Sequence, residues 1–275
     1  MDAWPVSGSI IATAVANVLF ACAVGACLAA LLLDDTSPHV LQRLQRVGAV
    51  CVVALIIADT IHLLLEALLM SGSVPGAIWS AVVPVLTQSH FGAAWSVGLA
   101  ALTCWALLSM AWRWSARRVW SCLTLPAAAI FAFSKVASSH AADAGDFSLP
   151  EWIHWIHLCS TAAWAGLVIS GALFVLPGLR AAQTKHGPAQ FARRVSLAAT
   201  VAFSAVVITG LYNANRGLGG SLVPLAHSDW GIVLDAKLGL VGVAVALVGS
   251  TGWSICHHSV RLHPILLPLP PSARS

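Results

Sequence analysis

Asp59, His62 and Glu66 stand in an otherwise apolar run, Ala54 to Glu66, at spacings of three and four residues. That spacing puts all three on one face of a helix, with Met70 one turn further along. An ionisable side chain held in lipid costs roughly 2.5–3.5 kcal/mol on insertion scales, so three on one face point to a function. A second group, Glu151-Trp-Ile-His154-Trp-Ile-His157, again places polar residues three apart, as neighbours on a helix surface. Asp59/His62 and Glu151/His154 are both acid-x-x-His pairs, able to chelate an ion from one helix. Neutral imidazole and carboxylate are the ligands expected for copper(II), zinc or iron. His90 and His140 fall in the same half of the chain's membrane profile, so a site in that half drawing on His154, His157, His140, His62, Glu66 and Asp59 is expected. Asp235 and Lys237 add an acid and a base to a later apolar stretch. A buried lysine needs a carboxylate partner, for which Asp235, Asp59 and Glu66 are the candidates.

The elements that carry these residues follow from composition. Of 275 residues, 59% are hydrophobic and 9% charged, and mean hydropathy is +0.86. Soluble proteins carry about 25% charged residues. This profile excludes a soluble domain, a disordered chain, a nucleic-acid-binding protein and a disulfide scaffold. Seven stretches reach the length needed to span a bilayer. They are Ser9 to Leu33, Val47 to Met70, Phe91 to Trp112, Val119 to Val136, Trp152 to Leu176, Val195 to Tyr212, and Gly231 to Ile255. The first carries Asp2 and no basic residue ahead of a long apolar run, so it is read as a membrane helix rather than a signal peptide. Arg43, Arg46, Arg113, Arg117, Arg118, Arg180, Lys185, Arg193, Arg194, Arg261 and Arg274 gather on one side, against Arg216 on the other, with Lys135 near a helix end. The positive-inside rule then puts the N-terminus outside and the C-terminus in the cytoplasm. The expected fold is all-α, a polytopic membrane helical bundle of about seven transmembrane helices. It forms a single membrane domain over residues 1–275, with an irregular proline-rich tail over 264–275.

The cysteines are distributed unevenly. Cys27, Cys51, Cys104, Cys122 and Cys256 map to the cytoplasmic half, Cys22 lies near the midplane, and Cys159 lies in the outer half. Thiolate selects copper(I), so a path from outer nitrogen and oxygen ligands to inner sulfur suits reduction and inward transfer. Three methionines are too few for a methionine relay. Axial histidines on neighbouring helices would look similar in a b-type haem electron carrier, with Ala162, Ala163 and Gly166 lining the cavity. A membrane oxidoreductase with a metal pair on the two acid-x-x-His motifs is the third reading. No nucleophile elbow, phosphate loop or nucleotide fingerprint occurs, so an ordinary enzyme is not expected.

From about residue 85 to 264 the chain resembles the copper resistance protein D (CopD) family of bacterial inner-membrane proteins. The segments that carry this are Leu86-Thr-Gln-Ser-His-Phe-Gly92, Ser139-His140-Ala141, His154-Trp-Ile-His157-Leu, and Ala162-Ala-Trp164-Ala-Gly166. They continue with Arg194-Val-Ser196, Thr209-Gly210-Leu-Tyr-Asn213-Ala214, and Asp229-Trp-Gly231 through Lys237. The resemblance implies copper handling at the inner membrane, with movement from periplasm to cytoplasm and a periplasmic CopC-type copper-binding partner. It matches His140, His154 and His157 to family histidines and Lys237 to a family lysine. Ser139 stands where a glycine is usual, Trp230 replaces a more usual Tyr, and no spanning helix follows the one bearing Lys237.

Overall fold

The structure is a computed structural model that describes residues 4–33, 38–72, 76, 78–111, 117–139, 143, 145–183, 187–219, 231–232, 235–236, 239 and 242–243. The described elements are helical. They are α1 (Trp4–Leu32), α2 (Pro38–Ser71), α3 (Ile78–Gln88), α4 (His90–Ala111) and α5 (Arg117–Ala137), followed by α6 (Leu149–Ser170), α7 (Leu176–Ala181) and α8 (Gly187–Leu218). A π-helical segment, Gly171–Val175, joins α6 to α7 and makes one continuous span of 33 residues. Six helices are long and apolar enough to cross a bilayer; α1 alone, at 29 residues, measures about 43 Å, against roughly 30 Å of hydrocarbon. Their outward positions are apolar: Ile10, Val50, Leu197 and Ile208 are each 65–70% exposed. A surface of that kind belongs against lipid. Six of the seven expected spans are therefore present, and the seventh, Gly231 to Ile255, falls almost wholly outside the described residues.

Residues 1–213 and 214–275 pack as separate units. In the first, α1 is the hub: it lies against α2, α5 and α6, and 56% of its central window is enclosed, compared with 6% for α8. Its sequence explains this, because the buried positions are mostly small: Ala12, Ala16, Ala21, Ala23, Ala26, Ala29 and Ala30. Small residues let backbones approach where no hydrophobic driving force separates helix from lipid. The closest approach is at Gly25 and Gly166, where a Cβ added to Gly166 would lie 2.0 Å from the Ala21 carbonyl oxygen. α1 thus fills the space beside Gly166 that a haem cavity would require. Larger side chains close the core, with Phe20 edge-on to Trp105 at 6.4 Å and tilted on Phe131 at 5.3 Å.

Local chemistry sets the ends of these elements. Pro38 opens α2, where its missing N–H is harmless, and Gly72 closes it with φ +62°, the left-handed cap glycine adopts without strain. The segment after it contains α3, which is too short to span a bilayer. That helix tolerates Pro84 in its interior and turns sharply into α4 at Ser89. The Ser89 hydroxyl caps α4 by accepting from the Gly92 amide at 2.9 Å. A Cβ on Gly92 would sit 2.1 Å from the Val85 carbonyl, so the corner closes only around glycine. At one end of the bundle Arg194 Nη1 donates to the Leu32 carbonyl at 3.0 Å, Arg43 lies 5.3 Å over the Phe174 ring, and Gly178 meets Val40. The basic helix ends therefore share one end of the bundle. In the second unit Asp235 is helical and exposed.

Candidate functional site

The polar residues of α2 look toward α1, α4 and α5. Asp59 is 2% exposed, and Lys135 Nζ of α5 donates to its Oδ1 at 3.2 Å. Trp95 Nε1 of α4 donates to the Asp59 backbone carbonyl at 3.2 Å, fixing the turn that bears it. The partner of Asp59 is thus Lys135, placed by sequence reasoning merely near a helix end, rather than the lysine of the later span. Lys237 lies outside the described residues. One and two turns beyond Asp59, His62 Nδ1 is 3.8 Å from Glu66 Oε1, too long for a hydrogen bond. The Ser9 hydroxyl of α1 donates to the same Glu66 oxygen at 2.6 Å. His62 packs on Phe91, its ring centroid 6.1 Å away, and its buried Nδ1 has no hydrogen-bond partner among the described residues. Ser9, His62, Glu66, Phe91 and Lys135 line a cleft of about 960 Å³, together with Thr13, Ser138, Asp143 and the His90–Asp146 pair. That pair is closed at 3.2 Å but is 57% and 65% exposed, so it belongs to the surface.

The histidines of α6 face α8 instead. Their ring centroids are 6.3 Å apart and their planes 34° apart. Two imidazoles sharing one ion at about 2.0–2.1 Å have centroids roughly 5–6.5 Å apart, a range whose upper end includes this pair. The Thr209 hydroxyl donates to the Ala205 carbonyl at 2.6 Å, which makes it an acceptor toward His157 Nδ1, 2.9 Å away. His157 then carries its proton on Nδ1, and the lone pair that a metal would take is on Nε2. Gly210 leaves room for this ring, because a Cβ there would be 3.2 Å from Cε1. His154 Nδ1 lies 3.5 Å from the Asn213 amide nitrogen. Thr209, Gly210 and Asn213 were legible in the sequence only as a recurring segment, and their positioning role comes from the packing of α8 on α6.

Glu151 does not join the histidines. It is 1% exposed and turns back to accept from the Phe147 amide, tying the incoming loop to the first turn of α6, where Ser148 is the N-cap and Pro150 follows. The two acid-x-x-His motifs therefore open onto different neighbours, α4 and α5 for one and α8 for the other. Among the described residues no three His, Cys, Asp or Glu side chains converge in a metal-holding group. His140, expected as a further ligand, lies outside the described residues.

Residues 1–149 match the profile of the copper resistance protein D-like N-terminal domain, and residues 189–259 match that of copper resistance protein D. The chain belongs to the copper resistance protein D family. No curated protein and no solved structure matches it at a significant level. The N-terminal match takes in α2 and its Asp59, His62 and Glu66 face, ahead of the stretch over which sequence motifs alone carried the resemblance. Thr209 and Asn213 fall in the second match, and His154 and His157 lie between the two. This family member is a multi-pass, copper-related membrane protein.

Proposed function

We propose that this family member carries copper across the bacterial inner membrane, from periplasm to cytoplasm, and takes it up at His154 and His157. The observation that carries the reading is the spacing of these two imidazoles on α6, with the Thr209 hydroxyl orienting His157 from α8. Imidazole suits copper, and water or His140 would complete the coordination. Asp59, His62 and Glu66 serve as polar steps along the α1–α2 seam rather than as ligands of the same ion. The shared basic end, with Arg43 and Arg194, faces the cytoplasm by the positive-inside rule, which leaves the histidine pair on the periplasmic side. A CopC-type protein would deliver copper there, and the chain acts as a carrier rather than as an enzyme.

The test is elemental analysis of the full-length protein purified in detergent from cells grown with both copper and iron. Copper near one per chain in the wild type, lost in His154→Ala/His157→Ala at unchanged thermal stability, is the expected result. Unchanged copper in the double variant would refute the histidine site, and iron in place of copper would refute the carrier.

A further inference from the structure

The seam between α1 and α2 is antiparallel and can be followed turn by turn. Near one end the Ser9 hydroxyl meets Glu66, and a Cβ on Gly8 would touch the Leu65 side chain at 3.1 Å. Near the other, a Cβ on Gly48 would lie 3.5 Å from the Ala26 side chain. One turn back from Ala26 along α1 is Cys22, and about one turn on from Gly48 along α2 is Cys51, so the register of the seam sets the two cysteines opposite each other. Both are free and half-buried, and Cys51 packs on the edge of the core. Cys27 is not a third member, because its sulfur is taken up with the Thr124 hydroxyl at 3.6 Å.

We propose that Cys22 and Cys51 form a two-coordinate copper(I) site. This rests on the carrier reading and extends it to a second station. Thiolate sulfur selects copper(I), whereas zinc calls for about four ligands that the seam does not offer. When copper(I) enters, both S–H bonds break, two S–Cu bonds form and two protons leave to water. The monovalent ion offsets one of the two thiolate charges, leaving one negative charge spread over both sulfurs. No electron is transferred in this step. The site lies eight residues along α2 from Asp59, about 12 Å, and thirteen along α1 from Ser9, about 20 Å. It therefore stands deep in the bundle, well beyond the cleft that holds Glu66 and His62.

The full-length protein, kept reduced and anaerobic in detergent, is titrated with copper(I) against a chromogenic copper(I) chelator, and the loaded samples are examined by X-ray absorption. Cys22→Ala and Cys51→Ala should each remove the same one equivalent, with at least a 100-fold loss of affinity and loss of Cu–S scattering. Cys104→Ala, at an exposed thiol of α4, and His154→Ala/His157→Ala should keep it. Wild-type protein provides a second readout that needs no substitution: copper(I) should protect Cys22 and Cys51, and not Cys104, from a membrane-permeant alkylating reagent. Unchanged stoichiometry in both cysteine variants, or equal alkylation with and without copper(I), overturns the thiol site. If copper dependent on His154 and His157 persists in that case, the carrier reading stands; wild-type protein that binds copper in neither oxidation state removes both.

Discussion

Breaking the Asp59–Lys135 pair should reveal how much of the fold depends on it. Nζ and Oδ1 are 3.2 Å apart, with the lysine 18% and the aspartate 2% exposed. At an effective dielectric near 20 the attraction is about 5 kcal/mol, and removing both charges from water offsets most of it. The intact pair therefore contributes little net stability, while a stranded charge costs about 3–5 kcal/mol. Asp59→Asn and Lys135→Met should each lower unfolding free energy by about that amount. The combined variant should lose less than either alone, giving a coupling of at least about 2 kcal/mol. The measurement is a denaturant titration in detergent micelles followed by tryptophan fluorescence. His90→Ala, which breaks the exposed pair with Asp146, is the reference and should change stability by no more than about 1 kcal/mol. Additive losses in the double variant, or single losses as small as that of His90→Ala, would refute a buried, mutually dependent pair.

Two further outcomes follow from the geometry. Gly166→Ala would drive a methyl against the Ala21 carbonyl and should destabilise by about 2 kcal/mol or more. Gly48→Ala meets Ala26 at an ordinary 3.5 Å and should be near neutral, so equal melting temperatures for the two variants would contradict the α1–α6 crossing. Thr209→Val removes the acceptor for His157 Nδ1–H and should weaken copper binding about 10–100-fold, whereas Thr209→Ser retains it. Equal affinities for Val and Ser would show that the hydroxyl does not orient the ring.

Six spans were legible because twenty consecutive apolar residues can satisfy their backbone in lipid only as a helix. α3 was not, because its 11 residues are too few for a span and Pro84 interrupts its interior, and only the Ser89 cap and the Gly92 contact show a helical corner. Periodicity also placed Asp59, His62 and Glu66 on one face, and His154 beside His157. It could not say which helix each face meets, since that depends on packing between distant segments. For this reason Lys135 was missed as the partner of Asp59, and Glu151 was grouped with His154 although it caps its own loop.

The π-helical segment at Gly171–Val175 has a consequence for how the histidine-bearing helix is aimed. Each such segment accommodates about one residue more than the α-helical turn it replaces, which advances everything beyond it by roughly 100° about the axis. The stretch bearing His154 and His157 is phased by its contacts with Thr209 and Asn213. The stretch beyond is phased by Arg43 over Phe174 and by Val40 against Gly178. A regular helix would tie those two settings together. With the offset between them, the anchor at Arg43 and Val40 and the imidazole pair are each met at a rotation that an unbroken α-helix would not give together.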